Sequence, residues 1–170
     1  MHAQIQHHYR TARQGLANGM PITLLHIGEE QTAVAVGSGP ELDTVLLLAV
    51  GTRATAAQFY RHQPPTPGEL ENAIQWVEDE VNRARALVAG HASLFSSDPA
   101  VQQMAGLAGV AGPGLSVEAV ERLFDLLASL SLGRPASSAG IPNTPAFAAG
   151  LLILREFMHH LGFAEIRWQT

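Results

Sequence analysis

The 170-residue chain contains no cysteine and no lysine, and charged residues make up only 15% of it. The missing cysteine excludes a disulfide framework and a thiolate metal site, and fits a protein of the reducing cytoplasm, which is the expected location. All ten cationic side chains are arginines, set against 15 acids for a net charge of −5. With no basic run to build a field, nucleic acid and anionic membrane surfaces are set aside as partners. A membrane span needs roughly 20 apolar residues, and the longest apolar run here, Ala146 to Leu154, is short and interrupted by Gly150. His2, His7, His8 and Arg10 stand where a leader peptide would need an apolar core.

What is present is apolar material: 46% of residues are hydrophobic, enough to bury the core of one domain and too short a chain for two large ones. Residues 1–20 read as an N-terminal helical segment and 21–170 as the single domain. In the first, Ile5, Tyr9, Ala12 and Leu16 share a helical face before the Asn18-Gly19 stop signal. Ile22 to Ile27, Thr32 to Gly37 and Thr44 to Val50 are β-rich runs separated by Gly28-Glu-Glu and Ser38-Gly-Pro, the pattern of two successive hairpins. Thr66, Pro67 and Glu69 then supply an N-cap, a first-turn proline and a capping box. Behind them Leu70, Ala73, Ile74, Val77, Val81, Ala84 and Val88 form one apolar stripe, predicting a single helix to Val88.

Val88 to Phe95 reads as a short strand or loop, and the glycine-containing stretch from Asp98 to Gly114 gives no clear element. Ser116 caps a helix carrying Val120, Leu123, Phe124, Leu127 and Leu130, which Gly133 ends. A loop from Ser131 to Pro142 leads to Thr144-Pro145, where the last helix begins. That helix is apolar nearly all round from Phe147 to Leu154, so it should be buried on more than one side. Gly162 ends it, and Ala164 to Trp168 reads as a closing strand. The expected fold class is α/β, with a mixed sheet of three leading antiparallel strands and flanking helices.

Several segments in this order carry a family resemblance. The run Val50 to Thr66, the helix from Leu115 to Leu127, Leu130-Ser-Leu-Gly-Arg134, Gly140-Ile-Pro142 and Gly150 to Glu156 resemble the second domain of the exopolyphosphatase / guanosine-pentaphosphate phosphatase (Ppx/GppA) family. The resemblance implies a ribonuclease H-like half-domain of the actin-like ATPase superfamily. The family's first domain, which carries its own phosphate loop, is not matched.

The resemblance also assigns the phosphate-binding positions, in degenerate form. The family loop Asp-Ile-Gly-Gly-Gly-Ser-Thr-Glu falls on His26 to Ala33, where only Ile27, Gly28 and Thr32 agree and Glu29 and Glu30 replace glycines. Glycines at such a turn let backbone N–H groups approach an anion. A carboxylate in their place repels a unit anionic charge by about 4 kcal/mol at roughly 4 Å and an effective dielectric near 20. His26 takes the place of the leading acid. A second family glycine loop falls on Ala89 to Ser93, keeping Gly90 and Ser93. The family's catalytic glutamate falls on Gln4, whose amide cannot accept a proton as a carboxylate does. The implied phosphate-binding set is therefore His26, Gly28, Thr32, Gly90 and Ser93, with no catalytic residue.

The remaining polar clusters read as structural. The adjacent pairs His7-His8 and His159-His160 lack the i, i+4 spacing that turns two imidazoles toward one ion, so no metal ligands are assigned. Glu78, Asp79 and Glu80 read as a solvated helix face with Asp79 paired to Arg83. The expected function is a non-catalytic binding or regulatory protein without a cofactor, paired with a second copy or a partner chain. The alternative is a residual phosphohydrolase acting on polyphosphate, a guanosine polyphosphate or another phosphoanhydride, with Gly28, Thr32, Gly90 and Ser93 around phosphate and a Mg²⁺ ion and another chain completing the site.

Overall fold

The computed structural model describes residues 2–168. Its central feature is a six-stranded mixed sheet. Strands β1 (Ile22–Ile27), β2 (Thr32–Gly37) and β3 (Thr44–Leu48) form the expected antiparallel meander. β4 (Ser93–Phe95) lies parallel to β1, β6 (Glu165–Arg167) lies parallel to β4, and β5 (Gly114–Ser116) closes the far edge antiparallel to β6. The order is β3-β2-β1-β4-β6-β5, so both β1 and β4 are interior strands.

Helix α1 (His2–Arg13) packs Ile5, Tyr9 and Ala12 over Ile22, Leu24, Ala33, Ala35 and Phe95 on one face of this sheet. The small alanines leave room for Tyr9, whose ring is fully buried and whose hydroxyl donates to Gly39 O at 2.9 Å. Arg13 is buried as well, and its guanidinium donates to the carbonyls of Met20, Gly37 and Gly39. These bonds repay its desolvation and tie the helical segment to the sheet.

The other face carries α2 (Thr52–Phe59), α3 (Pro67–Asn82), α5 (Pro99–Leu107), α6 (Val117–Ser131) and α8 (Pro145–Leu161), with short turns α4 (Arg85–Val88) and α7 (Ala136–Ala139). α8 is the centre of this layer: Leu151, Leu152, Ile153 and Leu154 are all fully buried, as its all-round apolarity predicts. Burying each such side chain is worth about 1.5–3 kcal/mol. The caps are those read from sequence. Thr66 and Glu69 form a reciprocal capping box, Ser116 accepts from Ala119 N, and Thr144 accepts from Phe147 N.

Four local expectations are corrected. α2 was not anticipated: it is short, lacks an acid in its first turn and starts at Gly51 without a side-chain cap. α3 stops at Asn82, because the Arg83 N–H bonds to Glu80 O in a tightened last turn, and the apolar stripe continues through α4. The unassigned stretch after Asp98 holds helix α5 and strand β5. Arg83 pairs with Glu80 at 2.7 Å, not with Asp79.

Candidate functional site

β1 and β4 run in parallel, and in open α/β sheets ligands bind outside the carboxyl ends of such strands. At that end the β1–β2 turn, the start of α2, the Ser96–Asp98 loop and the start of α8 meet. Ile27, Thr52, Met104, Thr144 and Phe147 line a largely apolar cleft of about 420 Å³ there. A neighbouring groove of about 460 Å³ runs past Arg53, Ala56, Tyr60 and Ala146. The Tyr60 hydroxyl is buried with no hydrogen-bond partner, and burial, then the charge of Glu69, pushes its pKa well above the usual phenol value.

The turn itself is folded onto α2. Gly28 O accepts from Thr52 N at 2.9 Å, and Glu29 O accepts from Arg53 N and Ala54 N at 2.9 and 3.0 Å. The N–H groups that an α-helix start would offer to an anion are thus taken by the chain's own carbonyls. The fit is tight: a Cβ at Gly51 would lie 2.4 Å from Glu29 O, and one at Gly28 would lie 2.7 Å from Gln31 O. Glu29 and Glu30 project outward, 79% and 55% exposed at the side chain, and the Arg53 guanidinium pairs with both. Solvent and Arg53 therefore screen much of the repulsion expected from sequence. The stronger obstacle to an anion here is the occupied helix start.

His26, next to last in β1, lies on the sheet face that Ile22 and Leu24 share under α1, while Ile27 faces the helical layer. Its Nδ1 lies 2.5 Å from Asp98 Oδ1, and Asp98 Oδ2 accepts from Ile27 N at 2.7 Å. The carboxylate is buried with a partner on each oxygen, and the Asp98 backbone N–H donates to Ser96 Oγ at 3.1 Å. The hydrogen bond to Asp98 raises the His26 pKa, against the opposing effect of burial. His8 approaches edge-on, with ring centroids 6.1 Å apart, and burial, then His26, lowers its pKa. An imidazole anchored at one nitrogen by a carboxylate keeps a defined orientation and can hold or pass a proton at the other.

The sequence-derived set is brought together only in part. His26 and Gly28 meet at the carboxyl end of β1. Thr32 lies beside them in register with Ile27, but it is fully buried and its hydroxyl donates to Val50 O at 2.8 Å. Gly90 and Ser93 sit at the opposite end of the sheet, because parallel β4 places Ser93 level with Ile22. The loop that does reach the carboxyl end is Ser96 to Asp98, directly after β4. Asp98 is the residue sequence reasoning missed. Its signal was the Asp98-Pro99 pair, an N-cap residue before a first-turn proline.

The carboxylates at this corner already have partners. Both Asp98 oxygens are engaged, and Glu29 and Glu30 are held by Arg53 on an exposed turn. Among the described residues, the one group of three His and carboxylate donors close enough to share an ion lies elsewhere, between α3 and α8.

The layout is that of an actin-like, ribonuclease H-like half-domain. No protein-family model matches the chain, and no curated protein matches it in sequence. Solved structures do. A Ppx/GppA enzyme from Aquifex aeolicus superposes with a TM-score of 0.77 at 17% identity, over 95% of this chain and 57% of that one. An exopolyphosphatase from Cytophaga hutchinsonii gives a TM-score of 0.73 at 14% identity, over 99% of this chain and 58% of its own. The chain therefore has the fold of part of a Ppx/GppA structure and spans just over half the length of those proteins.

Proposed function

We propose that this chain is a non-catalytic binding or regulatory module on the Ppx/GppA fold, and that it associates with a second copy of itself. One observation carries the first part: the turn where the resemblance implies phosphate is folded onto α2, with the Gly28 and Glu29 carbonyls accepting from the first N–H groups of that helix, and acids rim the turn. Support for the second part comes from strand β3, an edge of the sheet, and from the exposure of Leu47 on it and of Leu132 at the end of α6.

The His26–Asp98 pair is the feature that favours the rival reading, a residual phosphoanhydride hydrolase completed by another chain. An assay for phosphate release from polyphosphate and from guanosine pentaphosphate, with Mg²⁺, separates the two. No release above background is expected; release that disappears in Asp98→Asn overturns the non-catalytic reading. Light scattering tests self-association independently, and an 18.1 kDa monomer at micromolar concentration overturns it.

A further inference from the structure

Three turns of α8 from the cleft, about 16 Å along the helix, lies a second cluster of polar groups. Glu156 is buried in the α3–α8 seam. Its Oε1 accepts from Arg155 at 2.7 Å, and its Oε2 lies 2.7 Å from Nε2 of His160, one turn further on. From α3, Glu78 Oε2 comes within 3.8 Å of the same His160 Nε2. Arg155 also donates through Nε to both oxygens of Glu121 at 3.0 Å and lies over the Phe124 ring at 4.3 Å. His159 Nδ1 stands 3.8 Å from Glu121.

We infer that Glu78, Glu156 and His160 form a binding site for one divalent transition-metal ion of the zinc type, which clamps α3 to α8. The donor atoms of the three groups all lie within 4.8 Å of one another. Zinc bonds to imidazole and carboxylate of about 2.0–2.2 Å in a tetrahedron put neighbouring donors roughly 3.3 Å apart. The observed separations of 2.7 and 3.8 Å straddle that value. Each of these two separations is about half an ångström from that value, the third pair of donors lies within 4.8 Å, and the side chains that must move, His160 and Glu78, are 24% and 41% exposed.

The remaining ligand is already fixed: Arg155, itself locked by Glu121 and Phe124, holds Glu156 from behind as an outer partner orients a metal-bound carboxylate. Charge favours occupancy too. Glu78, Glu121 and Glu156 against Arg155 leave two negative charges when His160 is neutral, and a divalent cation cancels both. The imidazole selects zinc-type ions over Mg²⁺ and Ca²⁺, which prefer oxygen alone. Three protein ligands leave a fourth position for water. The spacing this proposal uses is Glu156 to His160 at i, i+4, and not the adjacent pair His159-His160.

The test is a calorimetric titration of the chelator-stripped full chain with Zn²⁺, with visible absorption of Co²⁺ as a second readout. One equivalent should bind, and the thermal midpoint should rise with Zn²⁺ concentration. His160→Gln and Glu78→Gln, both at partly exposed positions, should each weaken binding by at least about tenfold and remove the Co²⁺ band, with circular dichroism unchanged. The double variant His7→Gln/His8→Gln should retain both signals. Absence of Zn²⁺ binding by the unmodified chain overturns the site. So does binding that survives His160→Gln or is lost with His7 and His8.

Discussion

The helical layer around α8 and the corner where the β1–β2 turn meets α2 are held together by different physics. In the layer, dozens of non-directional apolar contacts overlap, so no single atom decides the arrangement. At the corner, three backbone hydrogen bonds and one missing Cβ at Gly51 fix the geometry. A packed layer answers mainly to lost volume, whereas a corner made of close backbone contacts answers to any added atom.

The largest effect should come from emptying the layer. Phe157 is fully buried and stacks on Phe163 with ring centroids 5.7 Å apart. Phe157→Ala should cost about 3–5 kcal/mol, the lost transfer energy plus the cavity left behind. Urea unfolding measures it, and a loss below about 1 kcal/mol, the scale of a single Ile→Val trim, would mean that the layer repacks freely. Gly51→Ala should cost less, about 1–3 kcal/mol as an overpacking strain, yet change the corner more. Its new Cβ would strike the Glu29–Glu30 peptide, so amide exchange at Thr52, Arg53 and Ala54 should speed up selectively. Exchange that rises equally across α8 would erase the distinction between the two regions.

The same contrast explains what could be read in advance. The layer is written in short-range signals: the stripe of α3, the all-round apolarity of α8, and the caps at Thr66, Ser116 and Thr144 all lie within a few residues of what they control. The three leading strands were legible for the same reason. The corner depends on contacts between distant segments. His26 meets Asp98 across 72 residues, and Gly51 is needed only because Glu29 lies on it. Nothing local marks such pairs. Gly90 and Ser93 lie away from the cleft for a related reason: matching glycines picked out the loop before β4, while the parallel register decides which loop reaches the cleft.

The smallest effect, and the finest probe of the corner, is the pH dependence of the His26–Asp98 pair. His26 has its pKa raised in the folded protein above the ordinary 6.5 by the hydrogen bond to Asp98. A raised folded value means that the native state binds the proton more tightly than the unfolded chain. The resulting stability is fully present below 6.5 and is lost as pH rises through the higher folded value. His8 pulls the other way, because its lowered pKa makes protonation favour unfolding at acid pH. The informative quantity is therefore the difference between the unmodified chain and His26→Asn, in which an amide can still donate to Asp98 but does not titrate. Chemical unfolding across pH 5 to 9 should show this difference largest on the acid side and shrinking toward the alkaline side. Because His8 is present in both proteins, its direct contribution largely cancels, and repeating the pair in a His8→Gln background removes the coupling between the two rings. A difference that is flat with pH would show that Asp98 holds His26 as a neutral strut, and the corner would then be tied by geometry alone.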